Sequence, residues 1–277
     1  MHDMAGTMRL KNRTAVVTGA AGGIGRAIAV SLARRGCHLA LADVNETGLV
    51  ETAQMAAATG VRITRHLLDV ADRAVVAAFP EAVTAEHAGV DLLINNAGVA
   101  LGGTFEEVSE EDFEWLFAIN FWGVVRLTRV FLPMLKASDD GRIVSLSSVY
   151  GLVAPPGQTA YAASKFAVRG FSIALGHELR ETTVGVTVVH PGGVATAIAD
   201  NARVPKDKPE DEVAQGREEM NRMLRLPPET AGEIIVRGVE RRQARVLVGS
   251  DARMISAIER LAPVSSGRIL DWLKRRA

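Results

Sequence analysis

The chain has 277 residues and balances 32 Lys+Arg against 32 Asp+Glu, a formal net charge of zero. That balance leaves no electrostatic footprint for nucleic acid. A single cysteine, Cys37, excludes an intrachain disulfide framework and fits a reducing compartment, while a chain of this length can bury roughly 75% of its unfolded surface without staples.

Short β-rich runs alternate with helical stretches throughout. Met1 to Leu10 lacks the apolar region of a signal peptide. Thr14 to Thr18 reads as a first buried strand, followed by a glycine turn and a helix to about Arg35. A second strand is expected over His38 to Ala42 and a second helix over Glu46 to Ala58. A third pair covers Val61 to Leu68 and Asp72 to His87, and Asp91 to Ile94 forms a fourth strand. One long helix is expected from about Glu110 to Ala137, then a fifth strand over Arg142 to Leu146. A helix from Thr159 to Glu181, a sixth strand at Gly185 to Val189 and a seventh at Arg245 to Val248 complete the order. The uncharged run Ile143 to Ser164 is long enough to invite a membrane reading, but it holds Pro155-Pro156, glycines and hydroxyls, so a soluble cytoplasmic protein is expected.

Strands separated by helices of this length predict βαβ units and a parallel sheet. The expected fold is therefore α/β: a doubly wound domain of Rossmann type with seven parallel strands flanked by helices. Apolar runs such as Ala15-Val16-Val17 fit strands covered on both faces. No repeat or Gly/Ser linker splits the chain, so one domain over residues 1–277 is expected, with its core at about 10–250. The segment Ala199 to Pro228 is charged and contains four prolines. It reads either as a solvated insertion or as a mobile lid over the strand ends. In the tail, about 250–277, Arg268 to Arg276 is amphipathic with a basic end and reads as a docked helix, or as a weak membrane-surface contact.

The chemistry concentrates where strands end. Thr18-Gly19-Ala20-Ala21-Gly22-Gly23-Ile24-Gly25 lies between a strand and a helix. Glycines there let the backbone approach a pyrophosphate, and the helix start offers N–H groups and a positive dipole end. No Gly-Lys-Ser/Thr follows, so this is not a P-loop. Asp43, ending the second strand, can accept hydrogen bonds from both ribose hydroxyls of an adenosine and would repel a 2′-phosphate. No Arg or Lys occurs inside the glycine turn or directly after Asp43, which favours NAD over NADP. Asn95-Asn96-Ala97-Gly98 and Pro191-Gly192-Gly193-Val194-Ala195-Thr196 follow the fourth and sixth strands, on the same sheet edge.

Tyr161 and Lys165 are four apart on one helix face, and Ser148 precedes the tyrosine by thirteen residues. A fixed ammonium favours a phenolate, so the pair is expected to bring a phenol of pKa near 10 toward neutrality. Ser147 competes with Ser148 for the hydroxyl role. His190 and His177 are not at metal-ligand spacing with other ligands and read as structural; no metal site is expected.

Taken in order and spacing, these pieces make the chain resemble the short-chain dehydrogenase/reductase family over roughly residues 10–250. The matching residues are Thr18, Gly19, Gly23 and Gly25, Asp69-Val70, Asn95 to Gly98, Asn120, Ser148, Tyr161, Lys165, and Pro191-Gly192 with Thr196. The resemblance implies Gly19, Gly23, Ile24 and Gly25 at the pyrophosphate, Asp43 at the ribose, and Asp69 and Val70 at the adenine. It implies Asn96, Ala97 and Gly98 along the cofactor, with Pro191, Gly192, Val194 and Thr196 at the nicotinamide end. Tyr161 is implied as general acid/base, with Ser148 on the substrate oxygen, Lys165 also on the nicotinamide ribose, and Asn120 holding a water. It further implies a homodimer or homotetramer through the long helix and the Tyr/Lys helix.

The expected activity is hydride transfer between NAD(H) and a secondary alcohol or ketone. The predicted pocket wall (Val99, Ala100, Leu101, Val149, Tyr150, Leu152, Val153, Gly193) is mostly apolar, which points to a hydrophobic substrate. A catalytically silent NAD-binding regulator and a methyltransferase share part of the pattern. The Ser148/Tyr161/Lys165 set argues against the first, and the Tyr/Lys pair with Asn95 to Gly98 against the second.

Overall fold

The computed structural model describes residues 6–269. Its seven strands are β1 (Thr14–Thr18), β2 (His38–Asp43), β3 (Ile63–Leu67), β4 (Leu92–Asn95), β5 (Arg142–Leu146), β6 (Gly185–Pro191) and β7 (Arg245–Val248). They form one parallel sheet in the order β3-β2-β1-β4-β5-β6-β7. The order reverses between β1 and β4, the place where open α/β sheets open a crevice at the strand carboxyl ends.

Helices cover both faces: α1 (Gly23–Ala33), α2 (Glu46–Ala57), α3 (Arg73–Thr84), α4 (Glu110–Phe117), α5 (Val124–Ala137), α6 (Thr159–Glu178), α7 (Glu210–Met223), α8 (Pro228–Glu240) and α9 (Ser250–Leu261). Alternation along each strand splits the core into two layers. Ala15 and Val17, Leu39 and Leu41, and Leu92 and Ile94 join Ile28, Leu32 and Ile235 of α1 and α8. Val16, Ala40 and Leu93 point the other way, to Phe79, Leu127 and Phe131 of α3 and α5. Strands β1, β4 and β5 are buried at every position because each side of the pleat meets a helix. Edge strand β3 is only half-covered, with Arg65 and Leu67 exposed on its open side. Cys37 is fully enclosed beside β2, and burial pushes its thiol pKa well up, as expected of a structural thiol.

Helix starts follow side-chain caps. Asn45 accepts from Gly48 N at 3.0 Å, Asp72 from Ala74 N at 2.8 Å, and Ser109 from Asp112 N at 3.1 Å.

Two elements depart from the sequence expectation. The long helix predicted over Glu110 to Ala137 is present over those bounds but is not α-helical throughout, because Ala118–Gly123 forms a π-helical turn between α4 and α5. The apolar run 110–137 is long and apolar enough to cross a membrane by length and composition, yet in this fold α5 packs against the sheet. The segment Ala199 to Pro228 is not featureless: it contains α7, none of whose residues is buried. Its two stems are docked, Arg203 bridging to Leu101 and Leu226 to Val194. Most of the amphipathic stretch Arg268 to Arg276 lies outside the described residues.

Candidate active site

The glycine turn leaves β1 through Gly19 at φ +65° and enters α1 through Gly23 at φ +51°, a region glycine reaches without strain. Asn96 closes the turn from β4: its Nδ2 donates to Thr18 O at 2.9 Å and to Gly19 O at 3.0 Å. A Cβ on Gly25 would run into Gly19 O and stand 2.5 Å from Asn96 Nδ2, so the helix can only approach this closely with glycine. Thr196 faces the same turn, 3.0 Å from where a Gly23 Cβ would be. Gly22 caps α1 with no side-chain hydrogen bond, and nothing lies within 4 Å of its missing Cβ. Among the described residues the first-turn amides of α1, those of Gly23, Ile24 and Gly25, have no side-chain partner, and Gly22 leaves open space beside the helix start, which suits a phosphate.

Asp43 ends β2 beside that turn. Its two carboxylate oxygens accept from Ala21 N and Asn45 N, each at 3.0 Å. Each oxygen keeps acceptor capacity for a further donor such as a ribose hydroxyl. Asp69 is exposed and accepts from Ala71 N at 2.8 Å, while Val70 is buried against Gly123 of the π-helical turn. Ala97 N and Asn96 N both donate to Thr18 Oγ1 at 3.1 Å, which carries the β4 end past the glycine turn.

At the far end, Pro191 closes β6 and Gly192 N donates to Val248 O at 2.9 Å. Gly193 N donates to Asp251 Oδ2 at 2.7 Å, and Val194 is buried and bridges to Leu226. Asp251, on α9, was not foreseen in the sequence; it lies some sixty residues beyond the motif it fixes, with no pattern to link them.

The hydroxyl and amine groups meet between β5 and α6. Ser148 caps a short 3₁₀ turn, Val149–Gly151, its Oγ accepting from Tyr150 N at 3.1 Å, and its side chain lies beside the Tyr161 phenol. Ser147 turns the other way and donates to Lys165 O at 2.8 Å. The two adjacent serines are thereby separated: one braces α6 and the other faces the phenol. Lys165 is buried, with Nζ donating to Leu146 O at 3.1 Å and 5.6 Å from the Tyr161 ring centroid. Asn120 sits in the π-helical turn and is buried; Oδ1 accepts from Val99 N at 2.8 Å and Nδ2 donates to Val99 O at 3.0 Å. Its Nδ2 also reaches Ser164 Oγ at 3.2 Å, and Ser164 in turn donates to Tyr161 O at 2.8 Å. Ser164 was another residue not singled out from the sequence. A Cβ on Gly98 would stand 3.2 Å from Asn120 Oδ1 and 3.3 Å from Lys165 Nζ, so this glycine keeps a gap beside both.

Burial dominates the titration of the pair. It pushes the Tyr161 phenol up to about 12, against the downward pull of the Ser148 hydroxyl, and the neighbouring Tyr150 adds to the rise. It pulls Lys165 down to about 8. The expected lowering of the phenol by the ammonium is thus not seen: the lysine's hydrogen bond goes to Leu146 O, and desolvation of the phenolate outweighs its field. His190, on β6, is enclosed and neutral, with Nδ1 at 2.9 Å from Ser148 O, and burial lowers its pKa to about 4. In front of the phenol lies an apolar cluster of Leu101, Leu116, Ala160 and Tyr161, with Val99, Phe113, Trp115, Phe117 and Tyr150 packed on it.

A parallel sheet with a glycine turn at its switch point and a buried Ser/Tyr/Lys constellation defines a nucleotide-binding oxidoreductase architecture. Comparison with known proteins names the family. The family model described as short chain dehydrogenase matches residues 13–207. The chain is 43% identical over 263 residues to the protein named SadH in Mycobacterium tuberculosis, covering 94% of each. It is 38% identical over 204 residues to oxidoreductase UcpA of Escherichia coli, covering 73% of this chain and 77% of that one. Among solved structures, a short-chain dehydrogenase/reductase from Burkholderia phymatum in complex with NAD superposes with a TM-score of 0.83 at 30% identity, over 91% of this chain and 94% of that one. A metagenomic short-chain oxidoreductase in complex with NADP gives a TM-score of 0.63 at 34% identity, over 68% of this chain and 85% of that one. The chain belongs to the short-chain dehydrogenase/reductase family and is an oxidoreductase of that family.

Proposed function

We propose that this chain is an NAD-dependent dehydrogenase of hydrophobic secondary alcohols, running also as the reverse ketone reductase, with Tyr161 as the proton-transfer residue. The observation that carries the reading is the enclosed Tyr161 phenol, with the Ser148 side chain beside it, Lys165 buried one helical turn along, and an apolar cluster packed on it. When bound, the nicotinamide dinucleotide supplies the hydride acceptor for the carbinol carbon.

The chain's own residues handle the proton and the orientation. In oxidation Tyr161, as phenolate, takes the proton of the substrate hydroxyl; in reduction it returns that proton to the carbonyl oxygen. Ser148 hydrogen-bonds the same oxygen and aims it. Lys165 steadies the phenolate by its charge and reaches the nicotinamide ribose. Asn120 keeps one Oδ1 lone pair beyond its bond to Val99 N, and the gap at Gly98 between Oδ1 and Lys165 Nζ is where a water would connect the lysine to solvent. Asp43 holds the adenosine ribose and disfavours a 2′-phosphate, which is the ground for NAD. Asp69 and Val70 border the adenine, Asn96, Ala97 and Gly98 run along the cofactor, and Pro191, Gly192, Val194 and Thr196 border the nicotinamide. The segment 199–228 acts as a lid hinged between its docked stems.

The same reading makes the chain a cytoplasmic homo-oligomer. Trp122, Phe166 and Ile173 on the π-helical turn and α6 are 49%, 39% and 45% exposed, large apolar side chains of the kind a second subunit covers. A stable monomer at low concentration would overturn that part. For the chemistry, Tyr161→Phe is expected to lower kcat by at least about a thousandfold with cofactor binding intact. Near-wild-type turnover in that variant would sink the assignment.

A further inference from the structure

The chain has only two tyrosines, and the fold brings them together. Tyr150 sits two residues past Ser148 in the 3₁₀ turn, its N–H held by Ser148 Oγ at 3.1 Å. Its ring meets the Tyr161 ring edge-on, with centroids 6.1 Å apart and planes at 86°. The turn that aims the serine therefore also aims this second phenol at the proton-transfer residue. Both rings belong to the apolar cluster in front of the site.

Among the described residues the Tyr150 hydroxyl makes no hydrogen bond, although its side chain is half-buried. In the cluster it packs on, with Leu101, Leu116, Ala160, Val99, Phe113 and Phe117, the side-chain acceptor is the Tyr161 phenol, which meets Tyr150 by ring edge and not by a hydrogen bond. Burial pushes the Tyr150 pKa upward, so the group stays a neutral O–H donor across working pH. A donor without a partner, at the apolar wall of a site that handles an oxygen, is suited to an acceptor carried in by the substrate.

We propose that Tyr150 is a substrate-positioning residue that donates its hydroxyl to a second oxygen of the substrate, so that the preferred substrate is an apolar carbon skeleton bearing two oxygens. This rests on the reading of Tyr161 as the proton-transfer residue. A site that supplies a donor to one substrate oxygen discriminates against the analogue lacking it, because the donor is then left unpaired.

The test compares cyclohexanol with cyclohexane-1,2-, 1,3- and 1,4-diol in NADH formation, using wild type, Tyr150→Phe and Tyr150→His. Wild type is expected to prefer the best diol over cyclohexanol by at least about tenfold in kcat/KM. Tyr150→Phe should erase that preference, mainly through KM for the diol. Tyr150→His, which keeps a ring donor, should recover part of the preference, and decides the matter if the phenylalanine variant fails to fold. Equal loss on diol and cyclohexanol, or no diol preference in wild type, would overturn the proposal. Tyr161→Phe run on the same panel should be inactive throughout; turnover there would overturn the proton-transfer reading instead, and this one with it.

Discussion

Lys165 gives its hydrogen bond to the Leu146 carbonyl at 3.1 Å while its ammonium stands 5.6 Å from the Tyr161 ring centroid. Both groups are enclosed, and enclosure decides their charge: the phenol is held up near 12 and the amine down near 8. Near pH 7 the pair therefore rests as neutral phenol and ammonium, a protonated acid ready for ketone reduction.

The two directions should then respond differently to pH. Alcohol oxidation needs the phenolate, so its kcat/KM is expected to climb about tenfold per unit from about pH 6 to about pH 8. Ketone reduction uses the protonated phenol and should stay level over that range. Initial rates in both directions check this, and an oxidation rate independent of pH would remove Tyr161 from the role of base.

Lys165 also carries a stability consequence. Its folded pKa lies near 8 and its ordinary value is 10.5, so the folded state is penalised wherever the amine is protonated, below about 8. That penalty fades as pH rises from about 8 to about 10.5, because the unfolded chain then binds the extra proton. Lys165→Met should raise stability by about 1–3 kcal/mol at pH 7, the lost bond to Leu146 offsetting part of the gain, and by much less near pH 10. Activity should collapse at both. Urea titrations at the two pH values measure the difference; a variant less stable than wild type at pH 7 would contradict the account.

Cofactor choice rests on Asp43, whose oxygens already accept from Ala21 N and Asn45 N. Asp43→Asn removes the negative charge and keeps an acceptor for one of those amides. The ratio of kcat/KM for NAD over NADP is expected to fall by at least about tenfold, mostly through gain with NADP. Steady-state kinetics with both cofactors read this directly, and a wild-type preference for NADP would reverse the assignment.

Acid should weaken the fold through His190. The enclosed imidazole protonates near 4 and an unfolded one near 6.5, so the unfolded state gains the proton first as pH falls. Stability is expected to drop across that interval by up to about 3 kcal/mol, and burial of His66 and His87 works in the same direction. In His190→Gln the dependence of the urea midpoint on pH should flatten between about pH 6.5 and about pH 4. An unchanged slope would place the acid sensitivity elsewhere.

Much of the scaffold was legible because its strands are short apolar runs between turn residues. Thr14–Thr18, Arg142–Leu146 and Arg245–Val248 have the predicted bounds, and β6 runs on two residues to Pro191 because the sheet continues pairing it with Val248. Ile63–Leu67 is shorter than expected, since an edge strand open to solvent shows no sharp change of composition at its ends. Adjacent Ser147 and Ser148 could not be assigned by chemistry, because only the twist of the chain after β5 sends one to Lys165 O and the other to the phenol. Asp251 was invisible for a different reason: its contact with Gly193 is made by packing α9 under the β6 end, and neither residue type announces the other.

The π-helical turn in the long helix was hidden because apolar periodicity runs on through it. A π-helical turn is an α-helix with one residue too many, and Ala118–Gly123 absorbs that residue between α4 and α5. Removing a single residue there would restore ordinary α-helical winding and leave the flanking helices close to their present phase, while the residues inside the turn rotate about the axis. Asn120 would then swing away from Val99 and Ser164 while every other active-site residue stayed in place. The surplus residue works as a gear tooth, setting the angle at which one amide enters the active site, and a one-residue deletion is a change this chain should tolerate poorly even where the helix itself would survive.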